Sequence, residues 1–157
     1  MSKNTYLVLH NIRSAHNVGS AFRTADAVGV SKVFLTGYTP TPIDRFGRPE
    51  KEVAKVALGA ENSVSWERLA NVGVLLVKLK KEGVFIVGVE QMRGAIDYKK
   101  IKTRFPCAFV FGNEVKGLSP GVLKRCDVVA EIPMKGRKES LNVSVSIGVA
   151  LFRILNL

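Results

Sequence analysis

Five short apolar runs constrain this chain more than any other feature. They fall at residues 6–9, 33–35, 84–89, 107–111 and 128–132, and they show almost no alternation between apolar and polar positions. A strand with one wet face alternates. A strand that does not alternate is covered on both faces, which is the condition of a parallel sheet sandwiched between helices. Helical patterns separate the runs. Val18, Ala21, Phe22, Ala25 and Val28 form one stripe, with Asn17 as a cap and Gly29 as a stop. Leu69, Val72, Leu75, Leu76 and Leu79 form another, with Lys78, Lys80 and Lys81 opposite and Gly83 after them, which predicts a helix over 69–81. Residues 51–58 and 118–124 read as shorter helices, and residues 38–48, with Pro40, Pro42 and Gly47, as an ordered loop or lid. Alternating strands and helices give an α/β domain with a mostly parallel sheet flanked by helices.

The last quarter carries the most specific local signal. The run at 128–132 stops at Pro133, which cannot donate to a ladder. A polar loop follows, then Asn142, a good helix cap. Beyond it Val143, Val145 and Ile147 alternate with Ser144, Ser146 and Gly148, as in a strand, while residues 149–157 are apolar on nearly every side. Periodicity leaves strand and helix open; the cap and the length favour helix.

The chain has 157 residues, the size of one domain, and 46% of them are hydrophobic. No apolar run approaches the ~18 residues of a membrane span. The first six residues lack the apolar core of a signal peptide, so a cytoplasmic location is expected. Cys107 and Cys126 sit in or beside apolar runs and read as reduced core thiols; neither pairs with His10 or His16 at a metal-binding spacing. The net charge of +11, from 24 Lys and Arg against 13 Asp and Glu, favours an anionic partner, nucleic acid first. Lys99, Lys100, Lys102 and Arg104 are the densest basic cluster, and aromatic residues do not interleave with it.

In a parallel α/β sheet, ligands bind beyond the carboxyl ends of the strands. Three polar, glycine-bearing stretches follow such ends: residues 11–23, 112–119 and 133–142. The second lacks the spacing of a phosphate-binding Walker loop, and no G-x-G-x-x-G follows the first strand. No Ser/His/Asp or Cys/His set stands out, and His16 reads as a loop-packing residue.

Asn17-x-Gly19-x-x-x-Arg23-Thr-Ala-Asp-Ala, Phe109-Val-Phe-Gly-Asn-Glu-Val-Lys-Gly-Leu-Ser119 and Ile132-Pro-Met…Ser140-Leu-Asn-Val-Ser-Val resemble, in order, the signature motifs of the SpoU (TrmH-like) RNA ribose 2′-O-methyltransferases. The resemblance runs from end to end of the chain. It implies a SPOUT α/β knot with a C-terminal deep trefoil knot, over about residues 107–157, in a single domain spanning 1–157. It implies S-adenosylmethionine held at Val89, Glu90, Gly112, Ile132, Met134, Ser140 and Leu141, no metal, and a catalytic set of Arg23, Asn17, Glu114 and Asn142. It also implies a homodimer in which Arg23 joins a composite site, and tRNA or rRNA as substrate. Arg23 could serve as a base or as an electrostatic stabiliser of the ribose oxygen. Larger relatives carry an RNA-binding domain. None is read here, so target choice is expected from the dimer surface, the 38–48 loop or an accessory protein. A non-catalytic RNA-binding module on the same fold is the alternative.

Overall fold

The computed structural model describes residues 3–157, so the reading of the first residues as free of a leader lies partly outside it. Seven strands form one sheet: β1 (Thr5–His10), β2 (Lys32–Thr36), β3 (Trp66–Leu69), β4 (Phe85–Val89), β5 (Ile96–Asp97), β6 (Cys107–Phe111) and β7 (Val128–Glu131). Their order is β3-β2-β1-β6-β4-β7-β5, and every pairing is parallel. β6 lies at the centre, with Leu7 opposite Phe109 on one side and Val87 opposite Phe109 on the other.

The absence of alternation has the expected cause. All five residues of β6 are buried. One face of the sheet, with Leu7, Leu9, Leu35, Phe109 and Phe111, is covered by α1 (Ala15–Val28), α2 (Lys51–Ala57) and α6 (Val143–Ile154). The other face, with Val8, Phe34, Ile86 and Val110, lies under α4 (Val72–Lys81) and α5 (Pro120–Arg125). A one-turn helix α3 (Ala60–Ser63) follows α2, and a 3-10 turn at Tyr98–Lys100 follows β5. No helix among the described residues is long and apolar enough to cross a membrane.

The terminal segment is a helix. Asn142 Oδ1 accepts from the Ser144 backbone N–H at 2.9 Å, and Val143, Ile147, Ala150, Leu151 and Ile154 are buried at helical spacing. The strand-like alternation of its first residues does not survive in the helix, where Val143 and Ile147 are buried and Val145 is exposed.

Three boundaries differ from the sequence reading. The cap of α1 is Ser14, whose Oγ accepts from Asn17 N, so Asn17 sits inside the first turn with its own side chain free for other work. Leu69 ends the edge strand β3 rather than opening a helix; α4 starts after Asn71, whose side chain accepts from Val74 N. Helix α5 begins at Pro120 behind the Ser119 cap, two residues later than expected.

Candidate active site

Because all strands point one way, the loops after β1, β4, β6 and β7 emerge at one edge. Those after β4, β6 and β7 enclose a cleft of about 250 Å³. Val89 and Glu90 line it from β4, residues 112–117 from β6, Ile132 from β7, and Ser140 and Leu141 from the loop before α6. Six of the seven expected cofactor residues thus share one cavity. Met134 is half-buried on the same loop but outside the lining.

The glycines of the β6 loop are there for space. A Cβ on Gly112 would stand 2.6 Å from the backbone of Gly117. A Cβ on Gly117, which has φ +65°, would meet the Glu90 carboxylate at 2.0 Å. That carboxylate accepts from Leu118 N at 2.8 Å and Gln91 N at 2.8 Å, so it ties the β4 and β6 loops together. The loop therefore folds tightly on itself and leaves the cleft open beside it.

The three motifs meet at the cleft. Glu114 accepts from the backbone N–H groups of Arg13 and Ser14, at 3.0 and 3.1 Å, just ahead of α1. An anion there also gains from the helix dipole. Asn17 Nδ2 donates to Glu114 Oε1 at 3.1 Å, and Asn142 Nδ2 reaches Asn17 Oδ1 at 3.4 Å. Each amide donates in one direction and accepts in the other, so the relay has one orientation. Burial pushes the Glu114 carboxyl up, but the N–H groups of Arg13, Glu114 itself and Ser14, with the Asn17 amide, outweigh it and hold the group below its ordinary value. A carboxylate so satisfied is a poor base. Its work is to join α1 to the β6 loop.

Arg23 does not join this relay. It is exposed on α1, about 240° round the helix from Asn17 at 3.6 residues per turn, and it does not line the cleft of its own chain.

Asn113 was not singled out from sequence. It is 8% exposed and holds four groups: its Oδ1 accepts from Val115 N and Lys116 N, and its Nδ2 donates to Asn11 O at 3.0 Å and Tyr38 Oη at 2.9 Å. The signal was its place between Gly112 and Glu114 directly after a buried strand. Asn11 itself takes φ +55° and accepts from Tyr38 N. Among the described residues no cluster of His, Cys, Asp or Glu could hold a metal. Both cysteines are free, and burial pushes the Cys126 thiol up to about 11, so neither offers a thiolate.

The family model of the SpoU rRNA methylases matches residues 4–152. The chain belongs to that family. A curated relative of this SpoU-family chain, the 23S rRNA (guanosine-2′-O-)-methyltransferase RlmB of Neisseria meningitidis, is 37% identical over 145 residues, 92% of this chain and 55% of its own length. The AdoMet-bound rRNA methyltransferase of Sinorhizobium meliloti superposes with a TM-score of 0.87 at 28% identity, over 99% of this chain and 57% of that one. The A. aeolicus TrmH/SpoU tRNA modifying enzyme gives 0.85 at 26% identity, over 99% and 75%. The chain thus spans just over half the length of the curated relative. The sheet and its flanking helices are the fold of these enzymes.

Proposed function

We propose that this chain is an S-adenosylmethionine-dependent RNA ribose 2′-O-methyltransferase acting on tRNA or rRNA. The observation that carries the proposal is the Glu114–Asn17–Asn142 relay, which gathers the three motif loops at the mouth of a glycine-built cleft. The +11 charge suits an RNA partner. So do the rRNA and tRNA named for its relatives.

The cleft fits the cofactor on its own terms. Gly112 and Gly117 keep it free of side chains where the loop turns, and Val89, Ile132 and Leu141 offer apolar surface beside Glu90 and Ser140. Those residues would hold it. When bound, the cofactor supplies a methyl group on a sulfonium, an electrophile needing no metal. The chain's own residues then have to place a ribose hydroxyl and stabilise its developing charge. Asn17 and Asn142 position; Glu114 fixes the amide of Asn17, which in turn accepts from Asn142. Arg23, whose planar guanidinium presents a fork of N–H donors, serves as the electrostatic stabiliser.

Since Arg23 faces away from its own cleft, it serves the cleft of a second protomer, and the active form is a homodimer. The outer face of α6, with Val145 and Phe152 at 48% and 42% exposure, offers apolar surface for that contact. The central position of β6 and the return of α6 across α1 suit a knotted C-terminal half over about 107–157 within a single domain. A cytoplasmic location fits the free thiols.

Incubation of tRNA and rRNA with labelled cofactor tests the reading. Label in alkali-resistant dinucleotides is expected, because a methylated 2′-oxygen blocks cleavage. Label found on bases alone would exclude ribose chemistry. A chain that binds RNA but not S-adenosylhomocysteine would be a non-catalytic module.

A further inference from the structure

The loop after β2 ends in a small turn that the cleft does not use. Its backbone is closed at several points: Ile43 and Pro49 form an antiparallel bridge, Glu50 N donates to Pro42 O at 2.9 Å, and Asp44 N donates to Arg48 O at 2.7 Å. Asp44 fills its interior. Oδ1 accepts from Phe46 N at 2.8 Å and Arg48 N at 2.9 Å, and Oδ2 accepts from Arg48 Nε at 3.2 Å. Gly47, at φ +77°, donates to Asp44 O. This ordering serves no core, because the tip is in solvent.

What the turn presents is Phe46, 65% exposed. The guanidinium carbons of Arg45 and Arg48 stand 4.8 and 4.9 Å from its ring centroid. Arg45 forms no ion pair among the described residues. An aromatic face flanked by guanidinium planes, held out on a braced turn, has the chemistry that stacks on an unpaired nucleobase and meets its phosphates. A helical duplex hides its base faces and cannot use it.

The turn is also in the right place. It follows the carboxyl end of β2, at the same edge as the cleft, and its stem is tied to the cleft wall. Tyr38 Oη accepts from Asn113 Nδ2, and Tyr38 N donates to Asn11 Oδ1.

We infer that Phe46, with Arg45 and Arg48, captures an unpaired nucleobase of the RNA substrate beside the cleft, so that the chain selects single-stranded or looped RNA over duplex. This rests on the RNA methyltransferase reading above. The sequence cluster at 99–104 would then supply charge, and this turn the stacking.

Fluorescence anisotropy with a labelled mixed-sequence RNA of about 12 nucleotides, single-stranded and as a duplex, tests the inference. Phe46→Ala and Phe46→Leu should weaken the single strand on the order of ten- to a hundred-fold, the range one base–aromatic stack carries. Phe46→Trp should retain it. Arg45→Gln should weaken it a few-fold and flatten its salt dependence. In the Phe46 variants duplex binding and S-adenosylhomocysteine affinity should stay as in the parent, and methylation by Phe46→Ala should show a raised KM for RNA with little change in kcat. Equal loss on single strand and duplex, or parental binding by Phe46→Ala, would overturn the inference. So would a change in sedimentation with RNA binding untouched, which would make the turn a protein contact. A parent that methylates ribose and ignores Phe46→Ala loses this inference alone. A parent that binds RNA through Phe46 but leaves ribose unlabelled loses the enzymatic reading alone.

Discussion

Replacing Asn17 by aspartate tests the relay directly. The change keeps the shape and swaps the amide donor for a carboxylate about 3 Å from Glu114 Oε1, where the parent has a 3.1 Å hydrogen bond. Asn17 is 7% exposed, so the new group cannot turn to water. Two like charges about 4 Å apart at an effective dielectric of ~20 repel by about 4 kcal/mol. Glu114 is half-buried, so solvent screening reduces the figure to about 2–4 kcal/mol. The variant has an escape: the introduced carboxyl can take up a proton and donate it to Glu114. At pH 7 that costs about 1.4 kcal/mol for each unit between the pH and the ordinary aspartate value near 3.9, again about 4 kcal/mol. In the folded variant the introduced carboxyl has a raised pKa, so the folded state binds more protons than the unfolded one and stability recovers as pH falls. In the parent Glu114 is held below its ordinary value, so its contribution is present above about 4.5 and is lost only as pH falls below that. His10, lowered by burial, titrates alike in both and drops out of the difference. Urea unfolding of parent and Asn17→Asp at pH 7, 6 and 5 should show a gap of about 2–4 kcal/mol that closes toward the acid end. A gap that stays constant, or no gap at pH 7, would mean that Asn17 and Glu114 are not coupled as described.

Arg23→Ala should leave the fold and S-adenosylhomocysteine binding intact and cut turnover by about 10²–10³, roughly the loss of one oxyanion donor; Arg23→Lys should not restore it, and a parental rate in single turnover would remove Arg23 from the chemistry. Mixing Arg23→Ala with a variant disabled at Gly112 should restore part of the activity if the two residues serve one site across a dimer; no recovery on mixing would place both in one protomer. Gly112→Ala brings a Cβ to 2.6 Å from the Gly117 backbone, and calorimetry should show S-adenosylhomocysteine affinity down by at least about ten-fold, or 1.4 kcal/mol. Ser14→Ala removes the acceptor for Asn17 N and should cost about 1 kcal/mol in denaturant unfolding; a loss under about 0.3 kcal/mol would show that Glu114, not the cap, sets the start of α1.

What could be read from the sequence was what local rules decide. The buried strands announced themselves because both faces are covered, and the stripe of α1 survived intact. The edges did not. β3 is Trp-Glu-Arg-Leu, half polar because one side is open, and the two-residue β5 has no pattern to read. The start of α1 was read at Asn17, three residues past the true cap, Ser14. The choice fell to Ser14 because Asn17 is claimed by Glu114, a partner 97 residues away that no local rule can see. The last helix was ambiguous for a similar reason: only its burial against the sheet and α1 shows which of its apolar residues face inward. Most of the site residues came from the motifs, but their geometry did not. Arg23 lies round the helix from its motif neighbour Asn17 and outside the relay that Asn17 joins. Asn113, which braces the β6 loop from within, has no distinguishing chemistry until its four partners are in place.

The relay has a consequence in time as well as in space. Its two links join residues 97 and 125 positions apart. The central pairing of β1 with β6 spans about as much chain. Contacts of such separation are made late, because the intervening chain must be ordered first. As the protein leaves the ribosome, β1 and α1 emerge well before β6, and the Asn17 side chain waits for Glu114 until the β6 loop has followed and for Asn142 until the last loop has. The cleft is therefore the last thing the molecule acquires. A chain halted before α6 would own the whole sheet and the Glu114–Asn17 link, but it would lack Val143 and Ser146 from the wall of the cleft.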